Sequence, residues 1–211
     1  MTEDFVFYTH PMSRGRIVRW MLEEVGQPYR TELLDYGTTM KAPEYLAINP
    51  MGKVPAIRHG GIVVTEAPAI CAYLADAFPA AGLAPPREDP LRGLYYRWLF
   101  FAAGPVEASV TNKALGVEIP AGRERMVGYG TFAAMLDALE GAVASGGYLV
   151  GHQFSAADLY VGSQLGFGMQ FGMIETRPVF VAYWARLSGR PAYQRAVAID
   201  NALMPPAPPA S

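Results

Sequence analysis

Tyr8 and Ser13 stand five residues apart across a strand-to-helix turn. A hydroxyl at the start of a helix satisfies one of the orphan amides there. Added to the positive end of that helix, the same hydroxyl donor also stabilises a nearby anion, by about two pKa units. Farther along, Val54-Pro55 begins a short strand. Proline has no amide proton and is tolerated where a strand edge is open. Such an edge can accept another extended chain by strand addition. Glu66 and Ala67 open a helix whose free amides attract a carboxylate. Each feature has a plain structural alternative. Ser13 could be only a cap, Tyr8 only sheet packing, Val54-Pro55 only an edge strand, Lys53 a solvated side chain, and Glu66 a complement to the helix dipole.

Other chemistries lack their residues. The single cysteine, Cys71, allows no intramolecular disulfide, and it falls on an apolar helix stripe, where a core role is expected. His10, His59 and His152 are scattered without metal-ligand spacing, so no metal site is expected. Neither standard glycine-rich phosphate loop is present.

The elements that must position these groups can be read from periodicity. Phe5 to Tyr8 is a short aromatic and β-branched strand. A helix opens at Ser13, with Ile17, Met21 and Val25 on one stripe beside Trp20, and Gly26 stops it. Tyr29 to Asp35 predicts a second strand, completing a βαβ unit by about residue 36. Val54 to Ile57 and Ile62 to Thr65 predict a hairpin through Gly60-Gly61, and a helix follows with Pro68 in its first turn and Ala67, Ile70, Cys71 and Leu74 on one stripe. Residues 78–90 read as a linker rich in Pro, Gly and Ala. Beyond it the pattern is helical, with helices expected at 91–115, 122–144, 155–171, 178–187 and 191–202 and a capping box at Ser155-Ala156-Ala157-Asp158. The Pro/Ala tail from Pro205 should be loose. The fold class is an α/β domain over 1–80 followed by an all-α domain over 90–204.

Composition sets bounds on partners. Seventeen basic against nineteen acidic side chains give a net charge of −2 without a basic run, which points away from nucleic acid and anionic membranes. No stretch is long and apolar enough to span a bilayer, and the acidic start lacks the pattern of a secretory signal. A soluble, cytoplasmic protein is expected.

Four segments together resemble the glutathione transferase family: Tyr8 to Arg16, Asn49 to Ile57, Thr65 to Ile70, and Leu149-Val150-Gly151 with Phe154 to Asp158. The resemblance covers nearly the whole chain and is to a cytosolic, bacterial-like, serine-type member. It implies a thioredoxin-like domain, an all-α domain and a homodimer. It also implies that glutathione is the co-substrate, with no covalently bound cofactor. Ser13 would then be the hydroxyl that activates the thiol, ahead of Tyr8. Val54, before a cis Pro55, would pair with the cysteinyl part of glutathione. Glu66 would take the ammonium, the Ala67 amide the γ-glutamyl carboxylate, and Lys53 the glycyl end. Met12 and Arg14 would also contact glutathione, with Arg14 and Arg16 either adding positive potential near the sulfur or simply solvated. Ala67 departs from the family's usual serine or threonine, so a hydroxyl contact is lost.

The expected reaction is conjugation of glutathione thiolate to hydrophobic electrophiles, a detoxification chemistry, with the electrophile's site in the helical domain. Tyr95, Tyr96, Trp98, Phe100, Phe101 and a flexible segment from Gly166 to Met173 are expected to be mostly core, with a minority of them lining that site. The alternatives are a non-catalytic binder on the same fold and a glutathione-dependent isomerase, dehalogenase or peroxidase.

Overall fold

The computed structural model describes residues 5–204, so the expectation for the Pro/Ala tail lies outside the described residues. The chain forms two compact units. One runs up to Ala81 and takes in the segment from Pro191 onward, and the other is Gly82–Arg190.

The first unit is built on four strands, β1 (Val6–Thr9), β2 (Arg30–Leu33), β3 (Ala56–His59) and β4 (Ile62–Thr65), in the order β2-β1-β3-β4. β1 and β2 are parallel, joined through α1 (Gly15–Val25), while β3 is antiparallel to both β1 and β4. This is the thioredoxin-like α/β arrangement that the resemblance implies. Gly60 and Gly61 both take positive φ, 56° and 80°, as the hairpin turn requires. Gly26 ends α1 at φ 72°. Alternation along β1 sends Val6 and Tyr8 to one face, where they join Met40, Tyr45 and Ala56 in an apolar cluster. Phe7 lies on the other face, under the Arg19 guanidinium of α1.

Two short elements between β2 and β3 went unexpected: a 3₁₀ turn at Thr39–Lys41 and α2 (Pro43–Leu46). Four residues show no helical periodicity, and Pro43 at the first position reads equally as a turn. α3 (Ala67–Ala77) packs beside α1, with Ala67, Ile70, Cys71 and Leu74 buried as expected. Burial pushes the Cys71 thiol far up, which suits an inert core residue.

The second unit contains α4 (Leu91–Phe101), α5 (Glu107–Ala114), α6 (Phe132–Val143), α7 (Ala156–Gln170) and α8 (Pro178–Ser188). Three expectations are corrected here. The helix expected over 91–115 is interrupted by a π turn at Ala102–Val106, because Pro105 has no amide to continue the ladder. The helix expected from residue 122 starts at Phe132, since Gly130 sits at φ 65° and Thr131 caps the Ala134 amide. Gly166 and Gly168, in the segment expected to be flexible, are close-packing positions. A Cβ on Gly166 would lie 2.6 Å from the Trp184 ring, and one on Gly168 would lie 2.4 Å from Ile174. The capping box is as read. Asp158 accepts from the Leu149 and Ser155 amides, the Ser155 hydroxyl and the Tyr183 hydroxyl, all buried.

The last helix, α9 (Pro191–Ala202), corrects the domain boundary: it belongs to the first unit rather than to the helical one. It lies along α1, and the reason is a buried ion pair. Arg19 Nε is 2.8 Å from Asp200 Oδ1, with both side chains 1 % exposed. Arg19 also donates to the Tyr29 and Thr31 hydroxyls, each at 3.1 Å. Burial raises the Asp200 carboxyl, and Arg19 pulls it back down. Trp20 against Tyr193 and Arg195 with Glu23 extend the contact.

Candidate functional site

One row of the sheet gathers the candidate residues. Tyr8 pairs with Ala56, and Ala56 pairs with Thr65. The segment after Tyr8, the Val54-Pro55 pair just before Ala56 and the Glu66-Ala67 pair just after Thr65 therefore leave the sheet at the same end. Leu33 pairs with Thr9 there, so the segment after β2 leaves at this end too. Ser13, Val54 and Glu66, spread along the sequence, share one end of the sheet because an antiparallel hairpin follows a parallel pair.

The Val54–Pro55 peptide is cis. Val54 precedes β3 and lies outside the registered pairs of the sheet, so the ladder does not consume its main chain. The loop before it is held from several directions. The Lys53 carbonyl accepts from the Tyr45 hydroxyl at 2.6 Å and from the Asn49 amide at 2.7 Å. Lys41 Nζ donates to the Met51 and Gly52 carbonyls at 3.1 and 2.8 Å. Burial pushes the Tyr45 hydroxyl up to about 12, with the Asn49 hydrogen bond opposing, so it stays a donor across the working pH range. Gly52 has φ 56°, and a Cβ there would meet the Met40 carbonyl at 2.7 Å, so only glycine fits. This clamp fixes Lys53 by its carbonyl and leaves its side chain exposed. Lys41 and Tyr45 were missed in the sequence because the two short elements carrying them were missed.

Glu66 is the one described non-glycine residue with positive φ, at 66°. Such a backbone costs about 1–3 kcal/mol and persists where a site needs it. Its side chain is exposed and makes no capping hydrogen bond to α3. The carboxylate is not spent on the helix amides. Pro68 removes one donor from the first turn, which leaves the Ala67 and Ala69 amides there. Ala67 itself is buried.

The two hydroxyls are placed differently. Tyr8 is 6 % exposed, and its ring packs at 5.6 Å from that of Tyr45. Ser13 is half-buried in the turn itself. Its hydroxyl donates to the His10 carbonyl at 2.7 Å and accepts from the Gly15 amide at 2.9 Å. α1 thus begins at Gly15, two residues later than expected, with Ser13 closing its first amide. Met12 is exposed, and its amide donates to His10 Nδ1 at 3.1 Å. Arg14 is exposed. Arg16 is tied down: it donates to the Pro11 carbonyl at 2.5 Å and to Asn201 at 2.9 Å.

A family model described as glutathione S-transferase, N-terminal domain, matches residues 12–77, a span that includes Ser13, Val54-Pro55 and Glu66. Glutathione S-transferase 3 of Zea mays is 29 % identical, over 97 % of this chain and 96 % of its own. A maleylacetoacetate isomerase of Rhizobium meliloti is also 29 % identical, over 93 % of this chain and 97 % of its own. The crystal structure of a glutathione transferase from Methylococcus capsulatus superposes with a TM-score of 0.78 at 30 % identity, covering 94 % of this chain and 99 % of that one. The fold is that of a thioredoxin-like domain joined to a helical one. The chain belongs to the glutathione transferase family.

Proposed function

We propose that the protein is a glutathione transferase that binds glutathione at the shared end of the sheet and directs its thiolate to hydrophobic electrophiles. The observation that carries this reading is the strained Glu66 at the open start of α3, at the same end of the sheet as Val54. Val54 offers main-chain pairing to the cysteinyl residue. Glu66 takes the ammonium, and the Ala67 amide takes the γ-glutamyl carboxylate. Lys53 reaches the glycyl carboxylate from a clamped loop. Met12 and Arg14 border the sulfur.

Activation falls to Ser13. A free thiol is only a few per cent ionised at neutral pH, and each unit of lowering is worth about 1.4 kcal/mol. Ser13 can turn its proton from the His10 carbonyl to the sulfur while keeping the Gly15 amide as donor. Tyr8 is the runner-up, at the end of the same strand. Proximity of thiolate and electrophile supplies the rest. The electrophile's site belongs to the helical unit. A C2 homodimer in the cytoplasm completes the reading: α4 presents Phe100, 72 % exposed, and Tyr96, 39 % exposed, as apolar surface. No described helix is long and apolar enough to cross a membrane.

Turnover of a chromogenic aryl halide with glutathione tests the activity. Tight glutathione binding by calorimetry, with no turnover of aryl halides, epoxides, isothiocyanates or peroxides, would instead favour a binder. The likeness to a maleylacetoacetate isomerase supports a second reading, a glutathione-dependent isomerase using the same first site. Isomerisation of a cis-configured diketo acid without net consumption of glutathione would select it.

A further inference from the structure

Thr9 ends β1 and turns its side chain to the α1 face, opposite Tyr8. It is 0 % exposed, and its Oγ1 has no hydrogen-bond partner among the described residues. A buried hydroxyl is ordinarily satisfied, and valine would fill the same volume without an orphan polar atom. The orphan lies at the site. A Cβ on Gly15 would be 1.9 Å from Thr9 Oγ1 and 2.9 Å from Ser13 Oγ. The two oxygens are therefore no farther apart than those two lengths together. Gly15 is the residue that leaves room for both.

A serine hydroxyl has one proton and two lone pairs. Ser13 uses its proton on the His10 carbonyl and one lone pair on the Gly15 amide. One lone pair on Ser13 and one proton on Thr9 remain. We propose that Thr9 is a positioning residue: when Ser13 turns its own proton to the glutathione sulfur, the two side chains close to hydrogen-bond distance and Thr9 donates its hydroxyl proton to Ser13 Oγ. Ser13 Oγ is then held by two donors, the Gly15 amide and Thr9, and its single proton is aimed at the thiolate. Thr9 never touches the sulfur. Donation into a hydroxyl polarises it and strengthens the bond it donates, by about 10–30 %. The inference rests on the reading that Ser13 activates glutathione.

The test is the ultraviolet absorbance of enzyme-bound thiolate against pH in Thr9→Val, Thr9→Ser and Ser13→Ala. Thr9→Val should move the titration towards higher pH and lower the neutral-pH rate by about twofold. Its glutathione affinity should hold, and its thermal midpoint should be unchanged or raised, since the orphan is gone. Thr9→Ser should titrate as the parent does. If Thr9→Val titrates as the parent while Ser13→Ala does not, the role assigned to Thr9 is wrong and the transferase reading stands. A Thr9→Val protein with a lowered thermal midpoint, whose altered titration Thr9→Ser fails to restore, also overturns it, because the role is then structural. If Ser13→Ala itself titrates as the parent does, the activation by Ser13 falls and this inference falls with it.

Discussion

The starts of α3 and α7 solve the same problem in opposite ways. Every helix begins with amides that have no partner inside it. At α7 the chain closes them itself: Ser155 and Asp158 form a reciprocal box, buried and braced by Tyr183 and the Leu149 amide. At α3 no side chain caps, Glu66 holds a left-handed backbone, and its carboxylate stays exposed. A closed start serves the fold, while the open and strained one is, in the proposed reading, kept for glutathione. α1 lies between the two, closed by Ser13 through bonds that a ligand could redirect.

The largest expected effect is on the closed start. Asp158→Ala should cost about 3 kcal/mol or more of stability, since it strands four buried donors at once. Denaturant unfolding would show the loss, while activity per folded molecule should persist. Loss of glutathione binding in a still-folded variant would show that α7 is not merely structural. Next comes Ser13→Ala, which should lower the neutral-pH rate about tenfold to a hundredfold through one to two lost pKa units of thiolate. A drop of only about 1 kcal/mol in stability, with the rate intact, would make Ser13 a cap like Ser155.

The open start should respond in binding rather than in stability. Glu66→Ala should weaken glutathione about tenfold by calorimetry, the loss of one charged hydrogen bond. Glu66→Gly should weaken it likewise while raising stability by about 1 kcal/mol, as the strain is released. A Glu66→Gly protein that is no more stable than the parent would remove the strain argument. Smallest is Tyr45→Phe, which deletes one of the two donors to the Lys53 carbonyl and should weaken glutathione by about threefold. Unchanged affinity would show that Lys41 and Asn49 hold the loop without it.

Legibility in the sequence followed the range of the interaction. Ser155 and Asp158 are three residues apart, so their box could be read directly, and so could the stops at Gly26 and Gly60-Gly61. The residues of the candidate glutathione edge could be named from the resemblance, but their shared row needed strand register. What escaped was long-range or too short for a period. Arg19 and Asp200 are 181 residues apart, and Asp200 reads as a solvated helix residue until its partner is placed. α2 has only four residues. Glycines 166 and 168 look like flexibility in a string of letters, and only the Trp184 ring and Ile174 beside them reveal close packing. That the Ser13 proton is engaged with a carbonyl depends on a rotamer that no pattern encodes.

The buried Arg19–Asp200 pair also sets an order of events during synthesis. Arg19 is made early, yet its counter-ion arrives only after the ribosome has produced the whole of Gly82–Arg190 and then α9. The helical unit is contiguous and rich in local contacts, so it can condense while the sheet unit is still waiting for its last helix. During that interval the guanidinium has the Tyr29 and Thr31 hydroxyls for company but no carboxylate, which burial of a cation does not tolerate well. The half of the molecule that emerges first is therefore the half that is finished last.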